Sequence, residues 1–237
     1  MENLVIIPTY NEKENIERII DKVFSLSERF DILIVDDGSP DGTADIVKNL
    51  QKKYPGFLHI EERTGKLGLG TAYIHGFKWA LKHNYEYIFE MDADFSHNPE
   101  DLPRLLEACR PDGVGMSIGS RYCKGGKVKN WPFIRWAMSY FASFYVRLML
   151  WINIKDTTAG FKCYKRTVLE TLDLDNIWFV GYAFQIEMKY STLKSGFKVV
   201  EVPITFIDRV YGESKMDMKI FKEAFIGVLR LRKKKFK

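Results

Sequence analysis

Tyr87-Ile88-Phe89-Glu90-Met91-Asp92-Ala93-Asp94-Phe95-Ser96 is the stretch on which the reading of this 237-residue chain turns. Its first five residues have the length and aromatic content of a buried strand, and the run stops at two carboxylates one residue apart. Open α/β sheets bind ligands at such carboxyl ends of strands. With alternate side chains of an extended segment on one side, Asp92, Asp94 and Ser96 can face a single hard cation. A lone Asp-x-Asp also fits a solvated turn, so the flanking chain must decide.

Upstream, strand and helix patterns alternate. Leu4 to Ile7 reads as a strand closed by Pro8, and Asn11 with Glu14 three residues on predicts a capping box opening a helix. Ile16, Ile19, Ile20, Val23 and Phe24 form one helix face. Ile32 to Val35 is a second strand, ending at Asp36 and Asp37 before the turn Gly38-Ser39-Pro40-Asp41-Gly42. Asp37, Ser39, Asp41 and Gly42 match the start of a calcium loop, but Lys48 stands where its closing glutamate belongs, and the stretch from Asp92 fails the same test. A helix through Ile46, Val47, Leu50 and Tyr54, a strand Leu58 to Ile60 and a helix through Leu69, Ala72, Tyr73, Gly76 and Ala80 follow. Gly65-Lys66-Leu67-Gly68-Leu69-Gly70 has neither dinucleotide-fingerprint nor P-loop spacing. The opening stretch is thus the fourth strand of a βαβαβαβ series, which predicts an α/β fold with a mainly parallel sheet and helices on both faces.

Downstream, Pro99 to Cys109 reads as a helix and Val114 to Gly119 as a strand leading to Ser120-Arg121-Tyr122. From Trp131 to Ile154 the chain is aromatic and aliphatic, with Arg135, Ser139, Ser143 and Arg147 as a thin polar stripe at four-residue spacing. That pattern fits a core helix, or a helix lying in a membrane interface, where tryptophan, tyrosine and arginine suit the headgroup level. Phe161 to Arg166 is strand-like, Ala183 to Leu193 helical, and Phe197 to Pro203 and Ile204 to Ile207 strand-like. A polar loop from Asp208 to Lys215 precedes an amphipathic face of Ile220, Phe221, Ala224, Val228 and Leu231. The expected organisation is one catalytic domain over 1–215, including an interfacial segment at 131–154, and an amphipathic helix with a basic tail over 216–237.

At 46% hydrophobic and 28% charged the chain is not a disordered polymer. Its net charge of +5 is concentrated at Arg230, Arg232, Lys233, Lys234, Lys235 and Lys237. Cys109, Cys123 and Cys163 have no metal-ligand spacing, which predicts reduced thiols, a cytosolic setting and no zinc. The strand pattern begins at Leu4, so no signal peptide is expected, and the longest uncharged apolar run, Trp136 to Val146, is too short to span a bilayer.

Paired aspartates at a strand end suit magnesium shared with substrate phosphates, and a nucleotide diphosphate supplies those oxygens. Arg121, Arg135, Arg209 and Lys215 are cations able to hold phosphate. The motifs Pro8-Thr9-Tyr10-Asn11-Glu12, Asp36 to Thr43, Lys66 to Ala72, Asp92-Ala93-Asp94, Gly119-Ser120-Arg121-Tyr122 and Asp208 to Lys215 together resemble the dolichol-phosphate mannose synthases, glycosyltransferase family 2 enzymes with a GT-A fold. The first two motifs and the Asp-x-Asp indicate the superfamily, and the glycine-rich and Asp208 to Lys215 motifs point to the mannose synthases.

The resemblance implies mannose transfer with inversion from GDP-mannose to a polyprenyl or dolichyl monophosphate. It also implies that Pro8, Tyr10, Glu12, Val35 and Asp37 hold the guanosine. Asp92 and Asp94 would bind Mg2+ or Mn2+, with Ala93 beside the donor and Ser96 at a position where relatives place a longer polar metal neighbour. Arg121, Arg209 and Lys215 would contact the donor diphosphate or mannose, and Arg135 the acceptor phosphate. Asp92, Asp94, Arg121 and Arg135 form the expected catalytic set. A lipid acceptor implies peripheral attachment to the cytosolic face of a membrane through the interfacial segment and the basic tail, a small anchor subunit as a further partner, and no role for nucleic acid. A phosphate monoester is anionic at neutral pH, so Gln185-Ile186-Glu187 need not supply a base. A sister enzyme using UDP-glucose and a non-catalytic nucleotide-sugar-binding subunit are the competing readings.

Overall fold

A computed structural model describes residues 2–208 and 227–234. In chain order the elements are β1 (Asn3–Thr9), α1 (Ile16–Phe24), β2 (Asp31–Asp36), α2 (Thr43–Gln51), β3 (Leu58–Glu62), α3 (Leu69–Lys82), β4 (Tyr87–Glu90), α4 (Leu102–Cys109), β5 (Val114–Ser120), β6 (Lys127–Lys129), α5 (Phe133–Leu150), β7 (Lys162–Lys165), α6 (Arg166–Thr171), α7 (Ala183–Lys194), β8 (Lys198–Pro203) and β9 (Thr205–Ile207). Seven strands make one sheet in the order β3-β2-β1-β4-β7-β5-β8, and β6 pairs with β9 beside it. All neighbours in the large sheet run parallel except β7, which is antiparallel to both β4 and β5.

Strand alternation sorts the core into two layers. Val5, Ile7, Ile32, Ile34 and Phe89 pack against α1, α2 and α4, whereas Leu4, Ile6, Leu33, Val35 and Ile88 pack against α3, α6 and α7. Strands buried on both faces are what a mainly parallel sheet requires. The chain winds outward from β1 through β2 to β3, then returns to place β4 on the other side of β1. That reversal opens a crevice between the carboxyl ends of β1 and β4, the place where such sheets take ligands.

Two local expectations are corrected. α1 starts at Ile16, its N-cap is Asn15 without a side-chain bond, and Asn11 sits at φ 58°. The loop is instead closed by the Glu12 carbonyl, which accepts from the Asn15 and Ile16 N–H groups, so the Asn11/Glu14 capping box does not form. The extended geometry expected through Ser96 also stops early. β4 ends at Glu90, and Phe95 lies at φ 59°, a left-handed conformation unusual for a bulky side chain.

The segment from Trp131 to Ile154 is not a core helix. In α5 only Ser143, Val146 and Leu150 are buried, while Phe133 is 76% exposed, Ile134 72% and Phe141 65%. The polar stripe therefore runs along the inner side beside Val146 and Leu150, and most of the large apolar residues face outward. Val146 and Leu150 pack with Ile186 and Tyr190 of α7 and with Val228 and Leu231 of the helical residues 227–231. Ile220, Phe221 and Ala224 of the expected amphipathic face lie outside the described residues. Among the described residues no helix is long and apolar enough to cross a membrane.

Candidate active site

The floor of the crevice is the turn after β4. Asp94 Oδ1 accepts from the Ser96 N–H at 3.0 Å and from its hydroxyl at 2.5 Å. This turn, and not strand alternation, brings the two side chains together. Asp94 and Ser96 are buried, whereas the Asp92 side chain is 40% exposed at the mouth. The Asp92 N–H donates to His97 Nδ1 at 3.2 Å, which leaves the ring proton on Nε2. Burial drives the His97 pKa down to about 4, so the ring is neutral at pH 7 and its 3.7 Å approach to the Asp92 carboxylate is not an ion pair. Ala93, between the two aspartates, is packed in the core. Burial and the nearby Asp92 charge hold the Tyr73 phenol well above its ordinary pKa. Two hard carboxylates at a solvent-reached strand end fit a divalent cation that also takes ligand oxygens. Among the described residues no cluster of three or more acidic, histidine or cysteine side chains could form a closed cage.

On one side of the floor stand the loops after β1 and β2. Pro8 and Val35 are register partners on neighbouring strands, which puts Tyr10, Glu12 and Asp37 at the same edge. Carboxylates fix these loops to each other. Asp36 accepts from the Thr9 and Ser39 hydroxyls at 2.7 and 2.6 Å, and Asp41 accepts from the Thr43 hydroxyl at 2.6 Å and the Lys13 N–H at 3.1 Å. Asp37 is bound by Arg63, whose Nε donates at 2.7 Å and whose side chain is only 8% exposed. Arg63 also donates to the Thr71 hydroxyl at 2.9 Å, joining Asp37 to the glycine-rich loop, where the Lys66 ammonium lies 5.3 Å from the Tyr10 ring.

Gly68 and Gly70 admit a close backbone crossing. A Cβ on either would stand 2.9 Å from the Val180 carbonyl oxygen or 2.8 Å from that of Phe179, and the Gly70 N–H donates to Val180. The crossing loop is held in turn by Glu187, fully buried, which accepts from the Trp178 and Phe179 N–H groups at 2.9 and 3.0 Å and from Lys234 at 2.6 Å. Lys234 therefore bonds within the domain, which corrects the expectation of a basic tail wholly available to a surface. Glu187 thus braces the loop that crosses the glycine-rich segment.

The opposite wall is assembled from distant segments. Because β7 is antiparallel, its leading loop arrives at the carboxyl ends of β4 and β5 and delivers Asp156. Arg121 follows β5 and meets Asp156 through Nε at 2.7 Å and through a second nitrogen at 2.6 Å, while Thr158 accepts at 2.8 Å. Burial opposes both charges, yet each offsets it for the other: the Arg121 pKa is raised and the Asp156 pKa lowered. Glu201 on β8 locks this loop, accepting from the Asp156 N–H at 3.0 Å and from the Ser120 hydroxyl at 2.7 Å. Arg121 also lies 5.5 Å from the Trp131 ring and 5.4 Å from that of Phe206. Its guanidinium is thus committed to the wall. Arg135 reaches the same wall, 4.2 Å over Trp131, and pairs with Asp208 at 2.8 Å. Arg209 and Lys215 lie outside the described residues.

Sequence reading passed over Arg63, Asp156, Glu201 and a charged cluster beneath the floor. There Glu90 and Lys162, both fully buried, meet at 2.9 Å, with Tyr164 and Gln185 completing the hydrogen bonds to Glu90. Lys189, also fully buried, donates to the Ala159 carbonyl at 2.6 Å and the Thr157 carbonyl at 3.1 Å, and burial pulls its pKa well down. Glu90 was legible as a charge inside an apolar run; the others carry no local pattern.

The Glycosyl transferase family 2 model matches residues 4–173. The chain is 48% identical over 225 residues to a polyprenol monophosphomannose synthase of Mycolicibacterium smegmatis, covering 95% of this chain and 84% of that one. It is 46% identical over 230 residues to an undecaprenyl-phosphate mannosyltransferase of Micrococcus luteus, covering 97% and 93%. Among solved structures, glucosyl-3-phosphoglycerate synthase of Mycobacterium tuberculosis, crystallised with Mn2+, UDP and glucosyl-3-phosphoglycerate, superimposes with a TM-score of 0.70 at 16% identity, covering 98% of this chain and 79% of that one. A mannosyltransferase of Pyrobaculum calidifontis in complex with GDP-Man and Mn2+ gives 0.61 at 19% identity, covering 98% and 62%. These structures share the fold, and the family match and the two sequence relatives settle the membership: the chain belongs to glycosyl transferase family 2.

Proposed function

We propose that the protein transfers mannose from GDP-mannose to a polyprenyl monophosphate, inverting the anomeric carbon. The observation that carries this reading is the Asp92/Asp94 turn at the β1/β4 crevice in a chain 46–48% identical, over nearly its whole length, to enzymes named for mannosylating a polyprenyl phosphate. Asp92 and Asp94 would hold Mg2+ or Mn2+ together with the donor diphosphate, and the ion would offset charge growing on the leaving GDP. Ser96 orients Asp94 through its two hydrogen bonds. Pro8, Tyr10, Glu12, Val35 and Asp37 take the guanosine, with Arg63 fixing Asp37.

Arg135 receives the acceptor phosphate, and Arg121, held in place by Asp156, contacts the donor diphosphate or mannose. Arg209 and Lys215 are the remaining diphosphate contacts. No general base is needed, because the attacking phosphate oxygen is already anionic. Glu187 is buried against Trp178, Phe179 and Lys234, and Gln185 is an amide that donates to Glu90, so this motif offers no free carboxylate to a sugar hydroxyl. The outward apolar face of α5, with Arg230, Arg232 and Lys233 exposed on the segment whose Val228 and Leu231 pack against that helix, rests the enzyme peripherally on the cytosolic side of the membrane.

Calorimetric titration of GDP with and without Mn2+ tests the donor site. Metal should tighten GDP binding to the native chain by at least tenfold and leave Asp94→Ala unchanged. Metal-independent GDP affinity in the native chain would contradict the assignment.

A further inference from the structure

The inner stripe of α5 leads away from the crevice to a second cluster of cations. A pocket of about 250 Å³ is lined by Tyr122, Tyr140, Phe144, Arg147 and Lys155. Two cations and two phenols line it, with no carboxylate. Neither Arg147 nor Lys155 has an ion-pair partner among the described residues. Arg147 Nε is buried without a hydrogen bond, and so is the hydroxyl of Ser143, one turn back on the same stripe and 1% exposed, while the Tyr122 hydroxyl has Ser139 beside it. Buried polar groups are normally paired, and a guanidinium N–H buried without an acceptor is costly. Burial also pushes the Tyr122 phenol up, so it stays a neutral donor.

The unmet groups call for an anion with several acceptor oxygens. Arginine recognises phosphate through two parallel bonds, and lysine and phenol donors add to them. The site is separate from the one proposed for the acceptor phosphate: Arg147 lies about 18 Å beyond Arg135 along the helix axis at 1.5 Å per residue. Arg135 moreover leans over Trp131, toward the helix start. At the rim, Tyr140 is 41% and Phe144 53% exposed, and they continue into the apolar face with Phe141 and Leu148. A ligand seated here has its charge beside Arg147 and its apolar part on that face.

We infer that the pocket binds the phosphate of an anionic phospholipid headgroup, anchoring α5 at one fixed orientation on the bilayer. This rests on the membrane-facing role of α5 proposed above. The full chain is sedimented with phosphatidylcholine vesicles with or without phosphatidylglycerol. At about 1 kcal/mol per cation near an anionic surface, Arg147→Gln with Lys155→Gln should weaken binding to phosphatidylglycerol vesicles roughly 30-fold. A control pair removing equal charge at the ends of α2 and α3, Lys52→Gln with Lys82→Gln, should change it less than threefold. Arg147→Lys, which keeps the charge and loses the fork, should still weaken binding severalfold. Equal losses in the site and control pairs, or native binding by Arg147→Lys, would overturn the site.

A free-phosphate source is tested separately: 10 mM inorganic phosphate that displaces the protein from vesicles and raises its melting temperature only when Arg147 and Lys155 are present would overturn the lipid assignment. Transfer to a short polyprenyl phosphate in detergent should be the same in native chain and site variant. Vesicle selectivity without transfer would sink the enzymatic reading alone, and transfer without vesicle selectivity would sink this site alone.

Discussion

The two halves of the crevice are built by different means. The half formed by β1 to β4 consists of consecutive strand–helix units, and its loops are tied by bonds such as Ser39 to Asp36 three residues away. The other half joins Arg121 to Asp156 across 35 residues, Arg135 to Asp208 across 73 and Ser120 to Glu201 across 81. Short-range bonds from hydroxyl and backbone groups to carboxylates make the first half tolerant of single losses outside the buried Arg63–Asp37 pair. Buried charges drawn from separate elements make the second brittle, because removing one partner strands the other without solvent.

The largest expected effect falls on chemistry. Two unit charges 4 Å apart interact by about 4 kcal/mol at an effective dielectric of 20, so Asp94→Ala should lower the transfer rate by about 10³-fold. Its melting temperature should stay close to native, since its bonds to the Ser96 N–H and hydroxyl lie within one turn. A variant retaining a tenth of the activity would remove the metal from the floor of the site.

Stability should respond most on the far wall. Asp156→Asn leaves the Arg121 charge buried beside a neutral group and should cost about 3–5 kcal/mol in urea unfolding. A loss below about 1 kcal/mol would erase the contrast between the halves. The folded Asp156 pKa is depressed below its ordinary value of 3.8. Its contribution is therefore fully present above pH 3.8 and is lost as pH falls through the lower folded value. The variant should lack that part of the acid destabilisation.

Lys234→Met tests whether the last described residues serve the donor side. Glu187 keeps its two backbone partners, so the cost should be about 1–3 kcal/mol, with the donor KM raised and the acceptor KM unchanged. An altered acceptor KM alone would instead place this segment with the membrane-facing half. The smallest effect is expected at Ser96→Ala. Losing one hydroxyl bond to Asp94 should cost about 1 kcal/mol, or roughly fivefold in rate. A loss as deep as that of Asp94→Ala would make Ser96 a metal ligand in its own right.

The difference between the halves also explains what could be read from the sequence. Periodicity in Ile16 to Phe24 and the strand runs ending at Asp36 and Asp92 report contacts within a few residues, and the fold of the first half follows from them. Strand order, the reversal of β7 and the Arg121–Asp156 pair depend on segments far apart, and no local pattern encodes them. Arg121 was legible as a cation at a strand end, but its commitment to Asp156 was not. In α5 the periodicity was correct and the facing was not decided, because a helix with a narrow polar stripe looks the same whether that stripe meets solvent or protein. The exposure of Phe133 and Phe141 decides it. The geometry after β4 misled for a local reason: alternation presumes an extended chain, and Phe95 leaves that conformation.

The central claim is most directly tested by product analysis. Purified protein is incubated with a short polyprenyl phosphate, Mn2+ and either GDP-mannose or UDP-glucose, and the glycolipid is identified by mass and by the NMR coupling of its anomeric carbon. One product is expected, a mannosyl phospholipid of inverted configuration formed only from GDP-mannose and abolished by a chelator. A glucosyl lipid, a retained anomer or undiminished synthesis with the metal removed would contradict it.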